Sequence, residues 1–336
     1  MPTRNSAALL QKHLARMKGW LDLVEQVVVV DSFSTDGTRE LIQTELHHPH
    51  LVVLNHPPGL YQSWNYAISK ISSEYVYIST CGDLITRTGL KRLFDAAEES
   101  GCDVVVSKPR FYCYQTNDSG EHTWPIDDII ATLNLTEPRR LNRLEALIFA
   151  ITNVTAAMTG SCASDLFRTA VLQQYPFPTD FGTAGDAAWG ILHAAEVSWV
   201  VTPERFSRFL RHPSIAPESE RCRAERALQP DRLARQAVAR LRLKGLLSEE
   251  ELAFSCLDEL LDILEVYLDY KRACDEHRRG KLPWISRPSA WRARFRRRQA
   301  EARLGELKFA ALQRAKRVMV SAPVLEPVGI EFQNML

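Results

Sequence analysis

Two spacings of apolar residues alternate along the first hundred residues and predict alternating strands and helices. Short runs rich in β-branched residues at 25–31, 51–54, 75–78 and 104–106 are typical of strands buried on both faces. Between these runs, apolar residues recur every three or four positions, which predicts helices with one apolar face. This order predicts an α/β fold with right-handed crossovers and a mostly parallel sheet.

Polar residues follow three of the predicted strands, in segments 31–37, 55–59 and 80–83. Ligands bind such sheets at the carboxyl ends of the strands, so we expect these segments to form a binding site.

The rest of the chain has a different pattern. Periodicity weakens over 111–140, which predicts a long loop or an irregular, acceptor-facing region, and 212–220 has the composition of a linker. Beyond it the pattern is helical, and Ser248 with Glu251 forms a capping-box pair. We therefore predict an α/β domain over residues 1–215 and an all-α accessory domain over 216–336.

Composition excludes several classes of protein. The chain has 336 residues, 45% hydrophobic and 25% charged, and its formal net charge of +1 gives no global attraction for nucleic acid. Its seven cysteines include no C-x-x-C pair, which favours reduced thiols and a cytoplasmic setting. The sequence shows no secretory signal at its start and no apolar run of the ~18 residues that span a bilayer.

Four motifs occur in order along the first 215 residues: VVVVDSFSTDGT ending at Thr38, GLYQSWNYAI over 59–68, YISTCGDLIT ending at Thr86, and GTAGDAAWGI from Gly182. Together they resemble the family 2 glycosyltransferases of the GT-A fold. The third motif is closest to members with N-x-G-D in place of D-x-D. The resemblance implies that a sugar is transferred with inversion from a nucleoside-diphosphate donor to a hydroxyl acceptor, in polysaccharide or glycoconjugate synthesis.

The first two motifs imply donor-binding residues. Asp31 and Ser32 end a strand, where their side chains can accept hydrogen bonds from a nucleoside, and Asn65 lies in the second motif. An alternative role for Asp31 is to hold its own turn in place. Asp36 is expected to cap the helix that follows it.

The third motif implies a site for Mg²⁺ or Mn²⁺. Asp83 is the expected ligand of the metal and diphosphate, and His212 is a candidate second ligand. Thr80 and Gly82 stand where a D-x-D motif has carboxylates, so Asp83 carries most of this role. Such a cation stabilises the leaving diphosphate as a Lewis acid.

The fourth motif implies the catalytic base. Asp186 is expected to take the proton of the acceptor hydroxyl, and Trp189 to stack on the acceptor sugar. The alternative is a capped helix with a tryptophan in the core.

The first residues resemble the segment that directly follows the family's first strand. Thr3 and Asn5 are then donor-binding residues, and the first strand itself is missing from the sequence. We therefore expect the natural start to lie upstream of Met1, or the chain to be truncated.

The segment 287–317 carries eleven Lys and Arg but only two acidic residues, interleaved with apolar side chains. A basic helix of this type can lie on an anionic membrane, which suits a lipid-linked acceptor and a peripheral position at the inner face of the membrane. The alternative is a helix that packs on the catalytic domain.

Two further functions compete with the transferase. A non-catalytic protein that binds nucleotide-sugars would retain the fold without the metal carboxylates, as Thr80 and Gly82 suggest, whereas Asp83 and Asp186 oppose it. A nucleotidyltransferase would need a glycine-rich basic loop near the start, which the sequence lacks.

Overall fold

The computed structural model describes residues 1–113, 124–153, 162–211, 229–254, 256–278 and 288–318. Its eleven strands in these residues are β1 (Pro2–Thr3), β2 (Val27–Asp31), β3 (Leu51–Asn55), β4 (Tyr75–Tyr77), β5 (Leu84–Ile85), β6 (Val104–Ser107), β7 (Arg110–Cys113), β8 (Arg139–Leu141), β9 (Asp165–Arg168), β10 (Trp199–Thr202) and β11 (Ser207–Arg211).

The α-helices within the same residues are α1 (Ala7–Met17), α2 (Thr38–Glu45), α3 (Leu60–Ile68), α4 (Arg87–Ser100), α5 (Pro125–Leu133), α6 (Arg143–Thr152), α7 (Thr169–Gln174), α8 (Gly185–His193), α9 (Pro230–Leu243), α10 (Glu249–Phe254), α11 (Leu257–Arg278) and α12 (Pro288–Val318). Three 3₁₀ turns lie at Leu21–Leu23, Cys162–Ser164 and Gly182–Ala184.

The strands form three sheets. The first, in the order β1-β2-β3, is wholly parallel. The second has the order β4-β9-β6-β10-β8, and β9 runs antiparallel to both of its neighbours, so this sheet is mixed. A small third sheet has the order β5-β11-β7. The prediction of alternating strands and helices is confirmed for residues 27–107. The first sheet is wholly parallel, and the mixed second and third sheets contain the parallel pairs β6–β10 and β7–β11.

Local capping explains where two of these helices begin. Asp36 accepts from the Thr38 backbone N–H at 3.1 Å and from the Ala7 N–H at 3.0 Å, so one carboxylate supports the starts of α1 and α2. The predicted capping role of Asp36 is confirmed. The hydroxyl of Thr86 accepts from the Gly89 N–H at 3.0 Å and begins α4.

The region predicted to be irregular contains regular elements. Strands β7 and β8 and helix α5 all fall within 110–141, and Ile126 and Ile129 of α5 are buried. The prediction of a long structureless loop is therefore wrong for these residues. Residues 114–123 lie outside the described part of the chain.

The C-terminal helices are part of the same hydrophobic core as the sheets. Helix α9 packs on α8, and α12 packs on α6 and α11, so that Leu147, Trp189, Leu260 and Leu312 belong to one buried cluster. The capping box of Ser248 and Glu251 is confirmed, with N···O distances of 2.7 and 3.1 Å. The predicted boundary at residue 215 falls in 212–228, outside the described residues.

The apolar stripe of α12 is turned inward. Leu304, Leu307, Ala311 and Ala315 are buried, whereas most of its described arginines are exposed. The helix thus packs on the domain through its apolar face, as the alternative for this segment predicted. Of the helices in the described residues, none combines the length and the apolarity that a bilayer crossing requires.

Candidate active site

The ends of β1 and β2 lie side by side. Thr3 pairs with Asp31 in the parallel ladder, and the Ser32 N–H donates to the Thr3 carbonyl at 3.0 Å. The carboxylate of Asp31 is buried and accepts from the Ser34 N–H at 3.0 Å and from the Ser34 hydroxyl at 2.5 Å. The side chain of Asp31 therefore shapes its own turn, which is the alternative role expected for it.

The other expected donor residues surround this turn. Asn5 has a left-handed backbone (φ 45°), and its Oδ1 accepts from the Thr35 N–H at 2.9 Å. The hydroxyl of Ser32 lies 3.1 Å from that of Ser63 on α3. The Thr3 hydroxyl is buried and has no hydrogen-bond partner within the described residues. The structure thus brings Thr3, Asn5, Asp31 and Ser32 together at one edge of the first sheet.

Asp83 is held in a tight turn before β5. Gly82 adopts a φ of 102°, which a residue with a Cβ rarely takes, so glycine is required there. The Thr80 hydroxyl donates to Asp83 Oδ2 at 2.7 Å, and the Leu210 N–H donates to Oδ1 at 2.8 Å. These two bonds fix the orientation of a carboxylate that is only 7% exposed.

The chemistry of Asp83 fits a divalent cation. Carboxylate oxygens are ligands that Mg²⁺ and Mn²⁺ prefer, and the bonds from Thr80 and Leu210 orient the two oxygens of Asp83. No group of three His, Cys, Asp or Glu side chains suited to a metal occurs in the described residues. His212, the expected second ligand, lies outside them.

Asp186 lies in the first turn of α8. Its Oδ1 accepts from the Ala187 N–H at 2.8 Å. Burial raises the pKa of its carboxyl, and a hydrogen bond from the Tyr61 hydroxyl opposes that rise. A carboxyl with a raised pKa is a better proton acceptor than an ordinary surface carboxylate.

The charges of Asp83 and Asp186 both act on one segment, the 3₁₀ turn Cys162–Ser164. This turn contacts β5 and β11, the strands that hold Asp83. Burial raises the pKa of the Cys162 thiol, and the charges of Asp186, Asp165 and Asp83 raise it further, in that order. The charges of all three carboxylates therefore act on one buried thiol.

Sequence reasoning missed two residues of this site. Asp165 begins β9, is fully buried, and its Oδ2 has no hydrogen-bond partner in the described part of the chain. Burial raises the pKa of this carboxyl. The sequence that begins at Asp165 (DLF) gives no indication of a functional carboxylate. Tyr61 is the second missed residue, and it could have been identified because it belongs to the second motif.

Two expected site residues have other contacts. Trp189 is 0% exposed, donates through its indole N–H to the Tyr175 carbonyl at 2.6 Å, and lies among buried aromatic rings. The expectation that it stacks on a sugar is wrong, because its ring has no free face. The side-chain amide of Asn65 makes two hydrogen bonds to the backbone of Phe177. Its Nδ2 donates to the Phe177 carbonyl at 2.8 Å, and its Oδ1 accepts from the Phe177 N–H at 3.0 Å.

Comparison with known proteins identifies the class. Residues 1–164 match the family described as "Glycosyl transferase family 2". The fold is similar to that of S. aureus TarS 1–349 in complex with UDP, with 17% identity, a TM-score of 0.51, and coverage of 93% of this chain and 90% of that chain. The TarS structure in complex with UDP-GlcNAc gives 15% identity, the same TM-score of 0.51 and the same coverage of 93% and 90%. No curated protein sequence matches the chain.

A sheet of GT-A type with carboxylates at its strand ends, joined to this family match, defines the protein as a glycosyltransferase. Its residues 1–164 belong to glycosyl transferase family 2. The fold continues beyond the matched part, since β9, β10 and β11 all follow residue 164.

Proposed function

We propose that this enzyme transfers a sugar from a nucleoside-diphosphate donor to a hydroxyl acceptor with inversion at the anomeric carbon. The observation that supports this reaction most directly is that the charges of Asp83 and Asp186 both act on the Cys162 thiol, in a turn that contacts the strands β5 and β11. In this reaction Asp83 acts on the leaving diphosphate, and Asp186 takes the proton of the attacking hydroxyl.

Asp186 is the proposed base. The acceptor oxygen forms a bond to the anomeric carbon, its proton passes to Asp186, and the bond to the diphosphate oxygen breaks with its electron pair. Burial raises the pKa of the Asp186 carboxyl, so the group accepts a proton readily near neutral pH. The Tyr61 hydroxyl and the Ala187 N–H keep the carboxylate in one orientation.

Asp83 is the proposed ligand of Mg²⁺ or Mn²⁺ at the diphosphate. When bound, such a cation neutralises the charge that develops on the leaving diphosphate. Thr80 and the Leu210 N–H hold the Asp83 carboxylate in place for this contact. One or two protein oxygens suffice for such an ion, because phosphate oxygens and water complete its shell.

The nucleoside is proposed to bind at the ends of β1 and β2. Thr3 offers a buried hydroxyl with no partner in the described residues, and Asp31 and Ser32 lie beside it. UDP-sugars are the first donors to test, because the TarS fold that this chain shares was solved with UDP-GlcNAc.

A membrane-bound acceptor is the proposed context of the basic helix. Its first half exposes Arg292, Arg294, Arg296 and Arg298. Because the apolar stripe is buried, attachment would be electrostatic, without insertion. Vesicles with anionic lipid should then co-sediment the enzyme at low salt, and 0.5 M salt should release it. Arg296→Glu with Arg298→Glu should weaken co-sedimentation and the exposed control Lys12→Glu should not, whereas equal binding to neutral vesicles would reject the proposal.

The reaction is tested by donor turnover with and without Mn²⁺ and by the anomeric configuration of the product. Asp186→Asn should abolish turnover yet retain stabilisation by the donor in a thermal-shift assay. Asp83→Asn should weaken both turnover and the metal-dependent part of that stabilisation. Asp180→Asn and Asp95→Asn, at exposed or partly exposed positions nearby in sequence, are matched controls. Full turnover by Asp186→Asn, or a product with retained configuration, would reject this mechanism.

A further inference from the structure

Two arginines lie side by side on one face of the third sheet. Strands β7 and β11 run parallel, and their register places Arg208 directly opposite Arg110. Paired residues on neighbouring strands direct their side chains to the same face of a sheet. Both arginines are exposed. This outer face of the third sheet therefore carries two positive charges at adjacent positions.

The opposite face of the sheet is anchored by aromatic side chains. Phe111 and Phe209, one residue further along each strand, stack with their ring centroids 6.3 Å apart. Trp124 meets the Phe209 ring edge-on, with the centroids 5.3 Å apart. Because side chains alternate along a strand, these contacts turn Arg110 and Arg208 towards solvent.

The arginine pair has no carboxylate partner in the part of the chain that the structure describes. Arg208 instead packs over the Tyr112 ring, with its guanidinium carbon 5.4 Å from the ring centroid. Lys108, just ahead of β7, shows the usual arrangement, since its amino group lies 2.5 Å from Asp127 Oδ1. Like charges directly opposite each other in a sheet are destabilising. An anion bound between Arg110 and Arg208 would relieve their repulsion.

The chemistry of the pair suits phosphate better than carboxylate. Each guanidinium presents parallel N–H donors that match two oxygens of an anion. One guanidinium can occupy both oxygens of a carboxylate, whereas a phosphate group has further oxygens for the second. The Tyr112 ring holds Arg208 before a ligand binds, so less side-chain freedom is lost on binding.

The pair also lies close to the residue proposed to act on the leaving group. Strand β11 pairs with β5 on its other edge, and Arg208 is opposite Leu84, the residue that follows Asp83. The Leu210 N–H of the same strand donates to the Asp83 carboxylate. Strand β11 therefore carries both an arginine of the pair and the N–H that orients Asp83.

We propose that Arg110 and Arg208 bind a phosphate group carried by the acceptor, so that the enzyme selects phosphorylated acceptors. This inference rests on the proposed transfer to a hydroxyl acceptor. The diphosphate of the donor is assigned to Asp83, and the arginine pair binds a second, separate phosphate group.

The first test titrates pyrophosphate in a calorimeter without divalent cations, which removes the metal proposed at Asp83. Citrate is the carboxylate probe of similar charge, and it should bind at least about tenfold more weakly than pyrophosphate. Arg110→Gln with Arg208→Gln should weaken pyrophosphate binding at least about tenfold, because charge-assisted hydrogen bonds are lost. The control pair Arg16→Gln with Arg92→Gln, also at exposed positions, should change it less than about twofold. Unchanged pyrophosphate binding in the first pair, or tighter binding of citrate, would overturn the proposal.

Two measurements on the variant with both Arg110→Gln and Arg208→Gln separate the acceptor phosphate from other partners. Its affinity for UDP with Mn²⁺ should stay within about twofold of the unchanged protein, and a loss of about tenfold would assign the arginines to the donor instead. Its melting temperature without an added anion should be equal or up to about 2 °C higher, because a like-charge contact is removed. A clear fall would show that the arginines are paired within the chain. Either contrary result would overturn the proposal.

The last test offers the enzyme matched acceptors, each sugar or polyol with and without a phosphate group. Transfer to the phosphorylated member should exceed transfer to its counterpart at least about tenfold, and the double variant should lose this preference. Equal transfer to both members by the unchanged protein would overturn the inference. If no member of the panel is glycosylated, the pyrophosphate titration decides alone. Absence of donor turnover would instead refute the proposed function, since pyrophosphate binding is measured without turnover.

Discussion

The hydroxyl of Tyr61 lies beside the carboxylate of Asp186, although the two residues are on different helices. The same hydroxyl donates a hydrogen bond to the Thr183 carbonyl at 3.2 Å, so it joins α3 to the segment that leads into α8. Its hydrogen bond counteracts the rise that burial causes in the pKa of Asp186.

Tyr61→Phe removes this hydrogen bond and keeps the ring. The pKa of Asp186 should rise further, because the ionised carboxylate loses a donor. The acidic limb of the kcat/KM profile should therefore move to higher pH, with a loss of about tenfold near neutrality. Tyr66→Phe on the same helix is the control, and an unchanged acidic limb in Tyr61→Phe would argue against Asp186 as the base.

Gly185→Ala tests the close approach of the two helices. A Cβ at Gly185 would lie 2.5 Å from the Tyr61 ring and 2.4 Å from the Pro178 carbonyl. The free energy of unfolding should fall by about 1–3 kcal/mol, and turnover should fall with it. At Gly305, a Cβ meets nothing within 4 Å, so Gly305→Ala in α12 should be neutral or stabilising. Urea unfolding of both variants checks the contrast, and equal effects would contradict it.

Asn65→Ala distinguishes a structural role from donor binding. The variant leaves the N–H and carbonyl of Phe177 without their partner, which should cost about 1–3 kcal/mol of stability. The apparent affinity for the donor should stay unchanged in the folded fraction. Gln62→Ala, exposed on the same helix, is the control. Normal stability combined with weakened donor binding would restore the role that the sequence motif implied.

Acid stability should depend on the contact between Glu196 and His193. Glu196 is buried and binds His193 Nδ1 at 2.6 Å, Arg240 at 2.9 Å and Lys244 at 2.5 Å, which joins α8 to α9. Burial lowers the pKa of His193 more than Glu196 raises it. Burial alone would raise the pKa of Glu196, but hydrogen bonds from Lys244 and His193 lower it overall.

In both cases the unfolded chain binds more protons than the folded one, so stability should fall as pH decreases. The His193 contribution is lost from about pH 6.5 downwards and that of Glu196 from about 4.5 downwards. The free energy of unfolding is measured by urea unfolding between pH 5 and 8. In His193→Gln it should fall less below about pH 6.5 than in the unchanged protein, whereas the exposed control His47→Gln should show the original fall. Glu196→Ala should cost about 1 kcal/mol at neutral pH, because the partly exposed Arg240 and Lys244 lose their carboxylate partner.

The sequence predicted those features that depend on short-range pattern. The strands β2, β3, β4 and β6 follow from β-branched runs, and the capping roles of Asp36 and of Ser248 with Glu251 follow from local spacing. The family was visible in four short motifs, because motif residues lie close together along the chain.

Tertiary structure decided the features that depend on which surfaces meet. The side chains of Trp189 and Asn65 could bind a ligand, yet they donate hydrogen bonds to the carbonyls of Tyr175 and Phe177. The spacing of residues along the chain does not reveal these contacts. Burial likewise set the chemistry of Asp165 and Asp186, since the pKa of a carboxyl depends on how much water reaches it. Sequence by itself thus determined the elements and the candidate residues, whereas packing between distant elements determined which candidates have polar surroundings suited to a site and which belong to the core.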